Sequence, residues 1–265
     1  MQVRAQIAYS GRSIPRPRYY ANDHARDQLE IVLVEMDIAD ARARPTSLDE
    51  AGFTLVPHVS AVTDFGDRAQ LDGRHRAEIV ELVGAASGAD LVLVNSPGLR
   101  RFSERSALSG TLDNSRPARF AHVDVSDATA AEFAARAVPE GRQVRRFVHY
   151  NVWRALSVPP QDVPLAVCDA RTVGAADLIA SDAVFDAPGV PEWSFEGWVV
   201  AHAGAHRWHW YPDMHVGEAL IFKTNDSEAG RAHCVPHVAF DNPLCPADAA
   251  PRVSLEMRAL ALWFA

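Results

Sequence analysis

The segment Arg119-Phe120-Ala121-His122-Val123-Asp124 carries residue types at a spacing that could do chemistry. On an extended strand, side chains two residues apart point the same way, so His122 and Asp124 would aim an imidazole and a carboxylate at one point. Two ligands do not fix a metal. The best third candidate is His237, in His233-Cys234-Val235-Pro236-His237-Val238-Ala239-Phe240. Two histidines and one carboxylate on one face of an octahedron leave three positions open, the arrangement used by non-haem iron(II) oxygenases. Fifteen residues past His237 comes Arg252-Val253-Ser254, again a pair on one strand face. A guanidinium gripping a carboxylate bidentately, with a hydroxyl assisting, suits the far end of a dicarboxylate cosubstrate.

Other residues invite weaker readings. Asn151 and Trp153 share a strand face, so one of them is expected to line a substrate cavity. Arg154 has two uses open to it: an anionic substrate or the cosubstrate, or a structural pair with Asp169. Arg258 is a candidate second anion contact, with packing against Glu256 as the bland alternative. Lys223, near Asp226 and Asp213, is expected in a surface ion pair. His202 and His206 have the spacing of helical zinc ligands, but no glutamate completes the motif, and Trp208, Trp210 and Tyr211 favour a strand. Cys234 lies three residues from His237, on the opposite strand face, and reads as a small buried hydrophobe. Neither a G-x-S-x-G elbow nor a glycine-rich phosphate loop is present.

The elements that must position these residues fall into two textures. Residues 1–110 read as a mixed α/β flanking region: a β-rich stretch over 28–37, a single capped turn at Ser47-Leu48-Asp49-Glu50, and a helix over 68–86 ended by Gly88. A buried strand follows at Leu91-Val92-Leu93-Val94. From about 111 to 265, short strand-like runs recur between Pro, Gly, Asp and Asn, among them 118–125, 144–152, 165–169, 198–202, 207–211, 219–223, 235–240 and 252–258. That pattern predicts a mainly β fold with flanking helices and a jelly-roll core. His122 and His237 lie 115 residues apart and must meet at one atom, so residues 1–265 are read as one elaborated domain.

Composition narrows the classes. The chain is 48% hydrophobic and 23% charged, with a net charge of -8, which argues against a phosphate-backbone binder. Lys223 is the one lysine among 26 cationic side chains, so nearly every fixed cation is a planar fork. No apolar run approaches the ~20 residues of a membrane span, and residues 1–6 lack the apolar core of a signal peptide. Three cysteines with no CxxC pair suit a reducing cytoplasm.

From about Gly52 onward the chain resembles the CmcJ/NvfI-type hydroxylase/desaturase family of oxygenases of secondary metabolism. The resemblance rests on Gly52-Phe53-Thr54-Leu55-Val56, His122-Val123-Asp124, Asn151-Val152-Trp153-Arg154-Ala155-Leu156 and Pro164-Leu165-Ala166-Val167-Cys168-Asp169. It continues through Trp208-His209-Trp210-Tyr211-Pro212, Pro236-His237-Val238-Ala239-Phe240 and Arg252-Val253-Ser254-Leu255-Glu256-Met257-Arg258. Ala155, where the family often has proline, and the first fifty residues depart from it. The resemblance implies a double-stranded β-helix (jelly roll, cupin-like), with Fe(II) and 2-oxoglutarate. The expected function is oxidation by O2 of an unactivated C–H bond in a small metabolite, by hydroxylation, desaturation or oxidative cyclisation. Succinate and CO2 would be released. The reading from another class is a non-catalytic cupin-like accessory protein that binds a metal or ligand.

Overall fold

Val3, Ala5, Ile7 and Tyr9 recur at every second position, and the chain from Gln2 to Ser10 is a strand with those four side chains buried. It opens a computed structural model that describes residues 2–94 and 96–265. The strands of the first part are β1 (Gln2–Ser10), β2 (Arg18–Tyr20), β3 (Ile31–Asp40), β4 (Phe53–Pro57), β5 (Leu91–Val94) and β6 (Leu99–Phe102). Helix α1 (Arg76–Ser87) lies between β4 and β5. Next come β7 (His122–Val123), α2 (Asp127–Ala137), β8 (Val144–Ala155), β9 (Leu165–Cys168) and β10 (Leu178–Phe185). The last five strands are β11 (Trp193–Val200), β12 (Trp208–Trp210), β13 (Glu218–Asp226), β14 (His237–Ala239) and β15 (Val253–Phe264).

These strands form two sheets. The larger, curled sheet has nine strands in the order β1-β3-β12-β9-β14-β7-β11-β10-β2. The smaller runs β4-β13-β8-β15-β5, with β6 also paired to β15. Alternation along β8 explains how they stack. Val148, Tyr150 and Val152 face outward onto Ile79 and Val83 of α1. Trp153 and Ala155 face inward, where they meet Phe53, Leu220 and Phe222 from the small sheet and Val167 from the large one. Phe53 and Phe222 are fully buried, each stabilising the fold by roughly 1.5–3 kcal/mol. A typical hydrogen bond nets only about 1 kcal/mol, so apolar filling holds the sheets face to face. Farther along, Leu260 and Leu262 are covered by Ala134 of α2. The mainly β, jelly-roll architecture expected from the sequence is the one observed.

Several local expectations are corrected. Residues 118–125 do not form one long strand: only His122 and Val123 do. The flanking residues bond irregularly, with Ala121 N donating to Ala8 O at 2.7 Å and Ala239 N to Ala118 O at 3.0 Å. The described residues before 111 supply six strands, spread over both sheets, and the helix expected over 68–86 runs over 68–87 with a π-helical turn at Leu71–His75. Helix α2 has no counterpart among the expected elements, although its signal is local: Ser126 caps it by accepting from Thr129 N at 3.2 Å ahead of an alanine-rich run. Lys223 is not at the surface. It is fully buried beside a β13 bulge, donating to Asp226 Oδ2 at 2.6 Å and to Asp49 Oδ1 at 3.3 Å. Among the described residues no helix is long and apolar enough to cross a membrane.

Candidate metal centre

Strand register brings the three candidate ligands together. His237 on β14 stands directly opposite His122 on β7, so the two rings share a face, with centroids 4.2 Å apart. Asp124, two residues beyond His122, joins them from the end of β7. Its Oδ1 lies 3.5 Å from His122 Nε2 and 3.8 Å from His237 Nε2, and one donor atom from each residue falls within 4.8 Å of the others. Each ring is turned by its own backbone: His122 Nδ1 lies 2.9 Å from Phe120 O, and His237 Nδ1 lies 3.2 Å from Val235 O. Donation to those carbonyls puts the hydrogen on Nδ1 and leaves each Nε2 lone pair aimed inward, as a metal requires. No other such group of ligands occurs among the described residues.

The electrostatics suit a metal. Burial, reinforced by the neighbouring His122 imidazole, pushes the His237 pKa down to about 3, so the His237 ring is neutral at ordinary pH. Burial alone would raise the pKa of Asp124, but the Arg258 guanidinium and the two imidazoles outweigh it and hold the carboxyl well below the usual range. Asp124 Oδ2 accepts from Asn151 Nδ2 at 2.8 Å and has Arg258 Nε 3.0 Å away in an ion pair. Asn151 on β8 and Arg258 on β15 are register partners, so both reach the same oxygen from the small sheet. Arg258 also meets Glu256 Oε1 at 3.1 Å. Gly197 completes the cradle. A Cβ there would stand 2.7 Å from Asp124 O, so glycine is what lets β11 lie against the ligand's backbone.

Arg252 and Ser254 are each 1% exposed, and Arg252 Nε, Arg252 Nη2 and Ser254 Oγ have no hydrogen-bond partner among the described residues. Buried donors of this kind are expensive unless matched, and a carboxylate matches them. The guanidinium carbon lies 5.9 Å from the Trp153 ring, and burial together with Arg101 pushes the Arg252 pKa down to about 9. Ser103 and Asp162 pin the backbone here: Asp162 Oδ1 accepts from Arg252 N at 2.8 Å, and Ser103 N donates to Arg252 O at 2.9 Å. The donor sets therefore fit both groups expected from the sequence, a divalent iron at the triad and a dicarboxylate anchored by Arg252 and Ser254.

Arg154 does not join this cluster. It points off the opposite face of β8, toward His58 Nδ1 at 2.6 Å and Val216 O at 3.3 Å, while Asp169 pairs instead with Arg171. Asn151 reaches the Asp124 carboxylate and is not part of the cavity lining, whereas Arg258 pairs with Asp124 and Glu256 and also lines the cavity. Trp153 packs between the sheets under Arg252. His206 is buried between Tyr9 and Asp177 and reaches no metal group. A cavity of about 800 Å³ opens beside the triad, lined by His122, Asp124 and Arg258 together with Tyr19, Arg101 and Phe120. Tyr19 and Arg101 had no signal in the sequence. They reach the cavity from β2 and β6, far from any motif.

A curled sheet packed on a smaller one, with a two-histidine, one-carboxylate cluster between them, has the form of a cupin-type non-haem oxygenase. A family model described as an oxidoreductase/YMDC permease-like domain matches residues 10–262. The chain is 32% identical over 232 residues to the Fe(II)/2-oxoglutarate-dependent dioxygenase nvfI of Aspergillus novofumigatus, covering 83% of this chain and 80% of that one. It is 31% identical over 236 residues to the hydroxylase/desaturase CTB9 of Cercospora beticola, covering 82% and 72%. The fold is similar to that of the iron and alpha-ketoglutarate-dependent endoperoxidase NvfI, with a TM-score of 0.83 at 24% identity over 100% of this chain and 99% of that one. The chain belongs to this oxidoreductase family and, within it, to the Fe(II)/2-oxoglutarate-dependent oxygenases.

Proposed function

We propose that this oxygenase holds its iron through His122, Asp124 and His237 and takes the distal carboxylate of 2-oxoglutarate on Arg252 and Ser254. The observation that carries the reading is the convergence of three ligand atoms within 4.8 Å, two of them imidazole nitrogens turned inward by their own backbone carbonyls. When bound, the two groups supply oxidative decarboxylation to succinate and CO2, coupled to oxidation of a substrate C–H bond by O2. The chain's own task is binding, orientation and dryness. Asn151 and Arg258 hold Asp124 Oδ2 and so present Oδ1 to the metal. Phe222, with its ring centroid 4.7 Å from that of His237, closes one side of the centre to water.

The substrate is a small molecule, and the outcome is hydroxylation, desaturation or oxidative cyclisation. The chain works as one unit, since strands from its first hundred residues complete both sheets. Its three free cysteines, two of them buried, support a reducing cytoplasmic setting. Anaerobic addition of iron(II) and 2-oxoglutarate is expected to give a weak visible charge-transfer band, and air is expected to convert 2-oxoglutarate to succinate. His122→Ala and Asp124→Ala should each abolish both signals in folded protein. A well-folded wild type with neither band nor succinate would sink the reading.

A further inference from the structure

The charges around the cavity are unevenly matched. Its lining carboxylates all have partners: Asp27 accepts from Tyr20 N at 2.8 Å, Glu104 and Asp241 both pair with Arg119, and Asp124 is held as described. Two lining cations, Arg101 and Arg116, form no direct ion pair with a carboxylate among the described residues. Arg101 is half-buried and spends only Nη1 on the protein, donating to Asn114 Oδ1 at 2.7 Å, Arg116 O at 2.8 Å and Asn114 O at 3.2 Å. Its remaining N–H groups have no hydrogen bond to the described chain. Glu256 and Asp124 lie close enough to act on its charge, but neither pairs with it, and burial outweighs them and lowers its pKa. Across the cavity, on the other sheet, Tyr19 Oη likewise makes no hydrogen bond to the described residues. Its ring packs edge-on against Phe120 at 4.9 Å, and it lies close enough to Arg101, Arg258 and Asp124 to feel their charges.

We infer that the substrate of this oxygenase is an amphiphilic organic acid whose oxyanion is gripped by Arg101 and Tyr19 Oη beside the metal centre. Its body lies along the aromatic and aliphatic wall formed by Phe120, Phe195, Ile31 and Leu33. The anion is distinct from the cosubstrate's carboxylate: Arg101 acts on the charge of Arg252, but only Arg101 lines the cavity, and Arg252 and Ser254 are buried and absent from its lining. Only the word "substrate" rests on the oxygenase reading; the charge preference is a property of the cavity itself.

The test uses the full chain loaded anaerobically with Mn(II) and 2-oxoglutarate. The probes are 8-anilinonaphthalene-1-sulfonate and its neutral counterpart N-phenyl-1-naphthylamine, both followed by fluorescence. The sulfonate should bind one site per chain about tenfold tighter than the neutral probe, equivalent to about 1.4 kcal/mol. Arg101→Gln should erase that preference and Tyr19→Phe should reduce it, while the neutral probe binds all three proteins alike. Equal affinities, no binding of either probe, or a preference that survives both substitutions overturns the inference. Because Arg101 Nη1 also ties down residues 114 and 116, Tyr19→Phe decides the matter should Arg101→Gln melt early. The iron(II) charge-transfer band separates the two readings. If wild type lacks the band, the oxygenase reading fails and the anion preference is still read directly. If Arg101→Gln alone loses it, Arg101 belongs to the cosubstrate's anchor, and this inference falls while the oxygenase reading stands.

Discussion

Asp124 divides its work between two oxygens, one facing the histidines and the other facing Asn151 and Arg258. Groups that orient a metal ligand in this way are typically worth about 10–100-fold in metal affinity. Asn151→Ala is therefore expected to weaken Mn(II) binding by about that factor, measured by titration, with the charge-transfer band displaced in the iron protein. Unchanged affinity and an unmoved band would make the bond to Asp124 incidental. The pairing of His122 with Asp124, and of Arg252 with Ser254, was legible because each pair is two apart on a strand, whereas the approach of His237 to the first pair depends on strand register. Their supports were not legible, since Asn151 is 27 residues from Asp124 and reaches it only through sheet packing. That Arg154 lies apart from the cluster, beside His58, has a reason the sequence does contain. If Asn151 and Trp153 face inward on a strand, Arg154 must face out.

At the scale of elements, β7 is two residues long and draws its precision from its neighbours, His237 on one side and Val199 on the other. Gly197 sits at the end of that second contact. Gly197→Ala places a methyl against Asp124 O, and the strand must shift to relieve it. Overpacking of this kind costs about 1–3 kcal/mol. The expected result is a lowered melting temperature together with weakened Mn(II) binding. A variant that lost stability alone would show that β11 does not position the ligand. The alternation Val3, Ala5, Ile7, Tyr9 was present in the sequence of β1 and could have identified that strand. The brevity of β7 was not readable, because it depends on where β14 and β11 happen to end.

At the scale of the molecule, a buried ionic cluster ties β13 to β8. Asp226 accepts from Arg146 Nη2 and Lys223 Nζ, both at 2.6 Å. Burial would raise the Asp226 pKa, but these two cations bring it below its ordinary value. A folded pKa below the unfolded value of about 3.9 contributes stability that is present above that pH and lost as pH falls through the folded value. Asp226→Asn leaves two buried cations with less compensation and is expected to cost about 3 kcal/mol near neutrality. The difference from wild type in denaturant unfolding should shrink below about pH 4, and a difference that stayed constant to pH 3 would locate the stabilisation elsewhere.

Asn151 and Arg258 reach across from the small sheet to a carboxylate carried by the large one. At the reactive centre, the gap between the sheets is thus gauged by polar atoms at fixed bonding distances, whereas elsewhere it is gauged by the volume of apolar side chains. A protein built this way can change its interior filling and the cavity walls away from Asp124 and Arg258 without disturbing the contact that sets the two sheets at the cluster. Substrate preference and reactive geometry become separately adjustable, so new substrates can be accommodated by wall substitutions while the oxidising centre stays in place.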